Sequence, residues 1–302
     1  MRITNNLIVR GQLAALQANA QAVDRAQRRV TTGLKLERIS DDPVAGNGVM
    51  VSAGGLRAIE QYRRNVGQAQ NRIAMQDQVL GQVTNLLARA KELAVAQGDG
   101  NANVQTREVA NREIEEIFRQ LVSLADTKFG SEFLFGGETA NLEPLAVTGT
   151  GAALDFAQSG GVGAQQVEVA SGQRFAPVHD AATLFVDSGV LAAVRDLARA
   201  TAPGGTSPDP AAEVRGTIPA LDRAFDAVQS LIGETGARAN SLQMTSSNLD
   251  AFEGSLKALK SDLEEVDFEL AVTELVTRQT AYQAAMLAST KVLGLNLTDY
   301  LR

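Results

Sequence analysis

The sequence predicts a mainly α protein, an elongated rod of N- and C-terminal coiled-coil helices with a small β-rich inserted outer domain. Near both ends of the chain apolar residues recur at alternating steps of three and four, the a/d pattern of helices that pack on helices. Between the two periodic regions the composition turns to Gly, Thr, Ser and Pro. Aromatic residues make up only 4% and Trp is absent, although hydrophobic residues reach 44% of the 302. Small, regular side chains suit helix packing better than a globule built around large rings.

The first stripe runs Leu13, Leu16, Ala20, Val23, Val30 and Leu34, with Gln27 filling one seam position. Gly33 ends it, and Asp41-Asp42-Pro43 restarts the helix. Asp42 is a good N-cap, and Pro43 at the first helical position loses nothing by lacking an N–H. A dense set of glycines follows, Gly46, Gly48, Gly54 and Gly55, where a helix would prefer alanine. The second stripe is longer: Ile59, Tyr62, Val66, Ala69, Ile73, Leu80, Val83, Leu87, Ala90 and Ala94, with Gln76 in the seam. At about 1.5 Å per residue this stretch reaches roughly 54 Å. A third helix carries Ile114, Ile117, Leu121 and Leu124 and is expected to run antiparallel to the second, reversing through Gly98-Asp99-Gly100-Asn101.

From about Gly136 to Pro210 only short apolar runs remain, such as Val167-Glu168-Val169 and Leu184-Phe185-Val186, which read as strands. Pro203-Gly204-Gly205-Thr206-Ser207-Pro208-Asp209-Pro210 reads as an exit linker. Heptads then return through Leu242, Leu249, Phe252, Leu256, Leu259, Leu263, Val266 and Leu270, and continue through Leu275, Tyr282, Met286, Leu293 and Leu297. The expected division is a terminal coiled-coil domain of residues 1–42 and 255–302, a helical rod of 43–140 and 213–254, and a β-rich outer domain of 141–212.

A long helix with one apolar stripe draws most of its stability from packing that stripe, so the two ends must find each other. The expected self-assembly seam is Leu13, Leu16, Ala20, Val23, Val30, Leu256, Leu259, Leu263, Val266, Leu270, Tyr282, Met286, Leu293 and Leu297. Within it, Leu263, Val266 and Leu270 are expected to face Leu13, Leu16, Ala20 and Val23. Charge favours the same pairing. Residues 1–45 hold seven bases against four acids, and residues 250–302 hold nine acids against five bases.

Several function classes are disfavoured. A net charge of -7 argues against nucleic acid as the main partner. The lack of Cys excludes disulfides and thiol chemistry. No apolar stretch approaches the roughly 18 residues that span a bilayer. The start Met1-Arg2-Ile3-Thr4-Asn5-Asn6 does not read as a cleaved secretory signal. The single histidine, His179, follows Pro177-Val178 in a polar segment and is expected at the surface. Gly149-Thr150-Gly151 begins like a dinucleotide fingerprint, but position 154 is Leu. Gly160-Gly161-Val162-Gly163 reads as a loop, and Asp41-Asp42 lacks the further ligands of a calcium loop. No catalytic residue, metal site or cofactor is expected.

Several motifs, in order, resemble the flagellin superfamily: Met1-Arg2-Ile3-Thr4-Asn5, Thr31-Thr32-Gly33, Ser40-Asp41-Asp42-Pro43-Val44-Ala45, Ile59-Glu60-Gln61-Tyr62-Arg63-Arg64-Asn65, Lys91-Glu92-Leu93-Ala94-Val95 and Phe133-Leu134-Phe135-Gly136-Gly137. The resemblance covers about 1–140 and 215–302. Asp41-Asp42-Pro43-Val44-Ala45, Phe133-Leu134-Phe135-Gly136-Gly137 and the end Asp299-Tyr300-Leu301 are similar to the branch that joins hook to filament. That resemblance implies an extracellular part of the bacterial flagellum, exported through the flagellar type III apparatus without a cleaved signal peptide. It further implies a flagellar export chaperone at the C-terminal segment, inner-tube terminal helices, and a ring of copies between the first hook-associated protein and flagellin. A filament-forming flagellin and, from another class, a cytosolic coiled-coil adaptor are the competing readings.

Overall fold

The computed structural model describes residues 2–36, 38–99, 103–203 and 209–300, with side chains at the two ends described for Leu7 and from Arg10 to Lys291. Among the described residues six α-helices carry the fold: α1 (Arg2–Thr32), α2 (Pro43–Gly98), α3 (Val104–Ala125), α4 (Val190–Thr201), α5 (Pro210–Glu264) and α6 (Phe268–Tyr300). Six short strands lie between α3 and α4: β1 (Lys128–Phe129), β2 (Glu132–Phe133), β3 (Leu145–Thr148), β4 (Asp155–Gln158), β5 (Val167–Ala170) and β6 (Gln173–Phe175). They pair antiparallel as three two-stranded ribbons, β1 with β2, β3 with β4 and β5 with β6. The fold is therefore mainly α with a few small strand pairs.

Helix boundaries follow local chemistry. Gly33, at a φ of 70°, closes α1 in the left-handed conformation that glycine adopts without strain. Asp42 Oδ1 accepts the N–H groups of Val44 and Ala45, each at 3.0 Å, so the cap expected before Pro43 is in place. The same Asp-Pro pair opens α5, where Asp209 Oδ1 accepts from Ala212 N at 3.0 Å. Asn103 caps α3 through Thr106 N at 2.7 Å. Of the expected turn after α2, Gly100 and Asn101 lie outside the described residues, as do 204–208 of the exit linker.

The chain divides into two compact units, Met1–Ala58 with Ala251–Arg302, and Ile59–Asp250. In the second unit α2 lies between α3 and α5. Arg89 of α2 pairs with Glu113 of α3 at 2.6 Å, and Arg72, earlier on α2, pairs at 2.6 Å with Glu132 of β2, which follows α3, so α3 runs antiparallel to α2. Lys91 with Asp222 at 2.5 Å, Gln76 with Thr235 at 2.7 Å and Arg63 with Asp250 at 3.5 Å set α5 antiparallel to α2. The stripe read from the sequence is the one that is buried: Ile59, Val66, Ala69, Ile73, Leu80, Val83, Leu87, Ala90 and Ala94.

The segment 141–212 differs from a stand-alone β domain. Leu145, Leu154, Leu184, Phe185, Val190, Leu191, Val194 and Leu197 belong to one hydrophobic core with Leu87, Ile114, Phe118 and Leu221. Val167-Glu168-Val169 does form a strand, but Leu184-Phe185-Val186 lies in a π-helical segment, Ala182–Asp187. The helix α4 follows it, burying Val190, Leu191, Val194, Leu197 and Ala198 at helical spacing. Consecutive apolar residues fit a buried helix as well as a strand, and here packing on α3 decided for helix.

Candidate assembly interface

The first unit is built from both ends of the chain, and its closing contact is made by backbone. Val266 N donates to Gly33 O at 2.9 Å and Lys35 N donates to Glu264 O at 2.8 Å, with Leu34 and Glu265 in an antiparallel bridge. The turn between α1 and α2 is thus zipped to the turn between α5 and α6. Asp267 then opens α6, its Oδ1 accepting from Glu269 N at 3.0 Å and Leu270 N at 3.3 Å. On the helices themselves Arg29 meets Glu274 at 3.2 Å, an opposite-charge contact between α1 and α6. Both side chains are about 40% exposed, so the pair contributes only about 0–1 kcal/mol.

The glycines after Pro43 have a packing cause. A Cβ on Gly48 would stand 2.7 Å from Leu263 Cδ1, one on Gly55 2.8 Å from Leu256 Cδ1, and one on Gly46 2.9 Å from Ile39 Cγ2. Helix α2 is regular through this stretch, and its missing side chains let leucines of α5 seat against the backbone. Leu263 therefore faces Gly48 of α2, and Val266 meets Gly33, not the Leu13 to Val23 stripe expected to receive them. The Arg29 to Glu274 pairing explains the difference, because that antiparallel register carries Leu13, Leu16 and Ala20 toward residues beyond 280.

Burial in this unit is shallow. Among the described residues its only buried apolar side chains are Ala26 and Ala271. Of the expected seam, Leu16, Ala20, Val23, Val30, Leu256, Leu263, Val266 and Tyr282 are half-buried. Leu13, Leu259, Leu270 and Met286 are exposed, Leu270 by 68%. The side chains of Leu293 and Leu297 lie outside the described residues. Leu7, Val44, Met50, Val51, Phe252, Phe268, Val276 and Leu287 are exposed as well. Fully burying one such side chain is worth about 1.5–3 kcal/mol, so this face has a large unused capacity to pack. Gln27 is exposed and Ala26, its neighbour, is buried, so Ala26 takes the seam position between Val23 and Val30 that the stripe gave to Gln27.

His179 is not at the surface. It is 6% exposed, in the second unit. Its backbone N–H donates to Gln76 Oε1 at 2.8 Å. On the ring, Nε2 lies 3.5 Å from Glu234 Oε2 and Nδ1 3.5 Å from Arg238. Burial, then the Arg238 guanidinium, hold its pKa below 6.5, while Glu234 and Asp180 oppose them. The Pro177-Val178 pair carries it inward, because Val178 is itself a core residue. Nothing near His179 in sequence signals this, since Gln76 stands 103 residues away. Elsewhere, Asp126 is pushed up to about 6, first by burial, against the N–H it accepts from Leu145. Asp42 caps its helix and Asp41 Oδ2 accepts from Arg38 N, which accounts for that acidic pair. Among the described residues no group of three His, Asp or Glu could hold a metal ion, and no helix is long and apolar enough to cross a membrane.

A helical subunit whose paired termini leave an apolar face uncovered belongs to the class of proteins completed by their neighbours in an assembly. The chain belongs to the bacterial flagellin family: the flagellin N-terminal helical region matches residues 3–140 and the C-terminal helical region matches residues 218–301. Flagellar hook-associated protein 3 of Escherichia coli is 25% identical over 320 residues, covering 98% of each chain. Flagellin of Bacillus subtilis is 26% identical over 317 residues, covering 100% of each. The solved flagellar junction protein of Legionella pneumophila shares the fold, with a TM-score of 0.56 at 14% identity over 72% of this chain and 100% of that one.

Proposed function

We infer that this chain is a structural subunit of the bacterial flagellum, an adaptor forming a ring that joins the hook to the flagellin filament. The observation that carries this is the first unit, whose termini are paired by backbone yet bury only Ala26 and Ala271 among described apolar side chains. Such a face is completed by further copies, and head-to-tail contacts between copies build rings or helical assemblies. The role at the junction, as opposed to along the filament, is supported by Asp41-Asp42-Pro43-Val44-Ala45 and by likeness to hook-associated protein 3 over nearly the full chain.

In this reading residues 1–42 and 255–302 line the inner tube, 43–140 and 213–254 form the layer around it, and 141–212 builds onto that layer. The neighbours are the first hook-associated protein on one side and flagellin on the other, with an export chaperone holding the C-terminal segment beforehand. The protein acts outside the cell, by packing and without catalysis. The full-length likeness to Bacillus subtilis flagellin favours a second reading, a filament subunit. Deleting the gene separates them. Hooks without filaments and flagellin monomers shed into the medium are expected. Filaments of normal length on the deletion strain would refute the junction role, and loss of filaments with no other flagellin in the medium would favour the filament subunit.

A further inference from the structure

The first unit also carries a cleft of a different character. It has a volume of about 460 Å³ and is lined by Gln21, Asp24, Arg25, Arg28, Arg29, Lys35, Arg38 and Asp41. Its helical wall comes from one face of α1, since Gln21, Asp24, Arg25, Arg28 and Arg29 fall at steps of three and four. Its other wall is the turn after Gly33. Among the described lining residues five cations stand against two carboxylates, and such an excess in a concavity focuses a positive field.

Part of that charge is already used. Arg28 pairs with Asp24, Arg29 with Glu274, and the Lys35 ammonium donates to Asp262 O at 2.6 Å. Arg25 and Arg38 are exposed and have no carboxylate partner among the described residues. An apolar segment would gain little here, whereas an anionic one would find two uncommitted guanidinium groups.

The same unit displays an opposite patch. Residues 262–269 hold Asp262, Glu264, Glu265, Asp267 and Glu269 with no base among them. Asp262, Glu265, Asp267 and Glu269 are exposed. Backbone bonds from Lys35 N to Glu264 O and from Val266 N to Gly33 O hold this turn beside the cleft. None of its residues lines the cleft. The chain's own acids are thus tethered next to a basic concavity that they do not fill.

We propose that the cleft receives the acidic turn, residues 262–269, of a second copy of this chain. The proposal rests on the reading of the chain as a self-assembling subunit and names the polar contact that orients one copy on the next. Two patches of opposite sign, side by side on one surface, set register and encounter rate between copies, while the apolar face supplies the burial. Free phosphate, nucleic acid and an acidic segment of another protein share the anionic chemistry, but only a second copy brings its own matched turn.

Purified full chain and two charge-reversed forms test this by cross-linking and sedimentation at low and high salt. One form carries Arg25→Glu with Arg38→Glu, the other Asp262→Arg with Glu269→Arg, and circular dichroism checks that both stay helical. Wild type is expected to self-associate at low ionic strength and to weaken as salt shortens the screening length. Each reversed form alone should associate about tenfold more weakly or worse. A one-to-one mixture of the two should recover association, and so should one chain carrying all four changes. Recovery in the four-fold variant but not in the mixture would place the contact within one chain and overturn the proposal. A wild type that stays monomeric at low salt, or reversals without effect, would overturn it as well. A deletion strain that assembles filaments normally would refute the flagellar role without touching these outcomes.

Discussion

Gln76 Oε1 accepts the backbone N–H of His179 at 2.8 Å, and neither side chain has meaningful access to solvent. The same amide donates from Nε2 to Thr235 Oγ1 at 2.7 Å, and the Thr235 hydroxyl in turn donates to Leu231 O at 2.7 Å. One polar residue at an a/d position therefore ties α2 to α5 and to the segment between β6 and α4. A buried amide in a seam is tolerated only when its donors and acceptors are met, and it then specifies register.

Replacing that amide should be costly out of proportion to its size. Gln76→Leu leaves the His179 N–H without its acceptor and the Thr235 hydroxyl oxygen without its donor, and a buried loss of this kind costs about 1–3 kcal/mol. A lowered melting temperature is expected, with Thr235→Val added in the same chain costing little more. Unchanged stability in Gln76→Leu would show that the network does not hold the segment.

Two of the shifted groups of this unit, His179 and Asp126, pull against each other in mild acid. His179 has a pKa held below 6.5 by burial, so its contribution is present above pH 6.5 and is lost as pH falls below that. Asp126 is raised from 3.8 to about 6, so the folded state binds its proton more tightly and gains stability as pH falls from 6 toward 4. His179→Gln should therefore become more stable than wild type, relative to pH 7, as pH drops to 5. Asp126→Asn should behave in the opposite sense and be more stable than wild type at pH 7. Parallel pH profiles for wild type and both variants would exclude the assigned environments.

The insert should prove inseparable from the helices beneath it. Phe185 stacks edge-to-face on Phe135, ring centroids 5.8 Å apart, and both are fully buried. Phe185→Ala is expected to cost about 3–5 kcal/mol through the cavity it leaves. Deleting 141–212 should destabilise α3 and α2 together, seen as lost amide protection at Leu87, Ile114 and Phe118. An intact, cooperatively folding remainder would show that the shared core is not needed.

The terminal unit should fail separately. Val266→Asp places a carboxylate on a half-buried seam position whose backbone is bonded to Gly33. The unit of residues 59–250 keeps its own core and should melt as in wild type. Limited proteolysis should cut within 1–42 and 255–302 before any site in 59–250, and the variant should be cut there faster. Cells relying on this variant are expected to shed flagellin and not swim. First cuts inside 59–250 would contradict the division of stability between the units.

How far the sequence could be read depended on side-chain type. Ile59 to Ala94 was legible because large apolar residues mark a/d positions against polar neighbours. Among the described residues of α1 the one fully buried is Ala26, which hydropathy does not tell from exposed alanines, so Gln27 took its place in the seam. The glycines at 46, 48 and 55 read as helix-weakening because their reason, the leucines at 256 and 263 and Ile39, lies elsewhere in the chain. The apolar pattern of α4, from Val190 to Ala198, was present, but the Gly and Pro content around it masked the period. The pairing partners of Leu263 could not be read, because many registers of two regular helices satisfy one heptad pattern.

The bridge between Leu34 and Glu265 spans most of the polypeptide, and that distance sets an order of events. The Ile59–Asp250 unit holds its own core and can form while the tail is still missing. The turn at 33–36 finds its partner only once residues 264–266 have arrived, so contacts of such high sequence separation close last. A chain cut short between residues 251 and 263 would carry a sound middle and an unlatched beginning. It could not present the joined surface, and so could not be built in. The latch thus acts as a check that each subunit is whole before it takes its place.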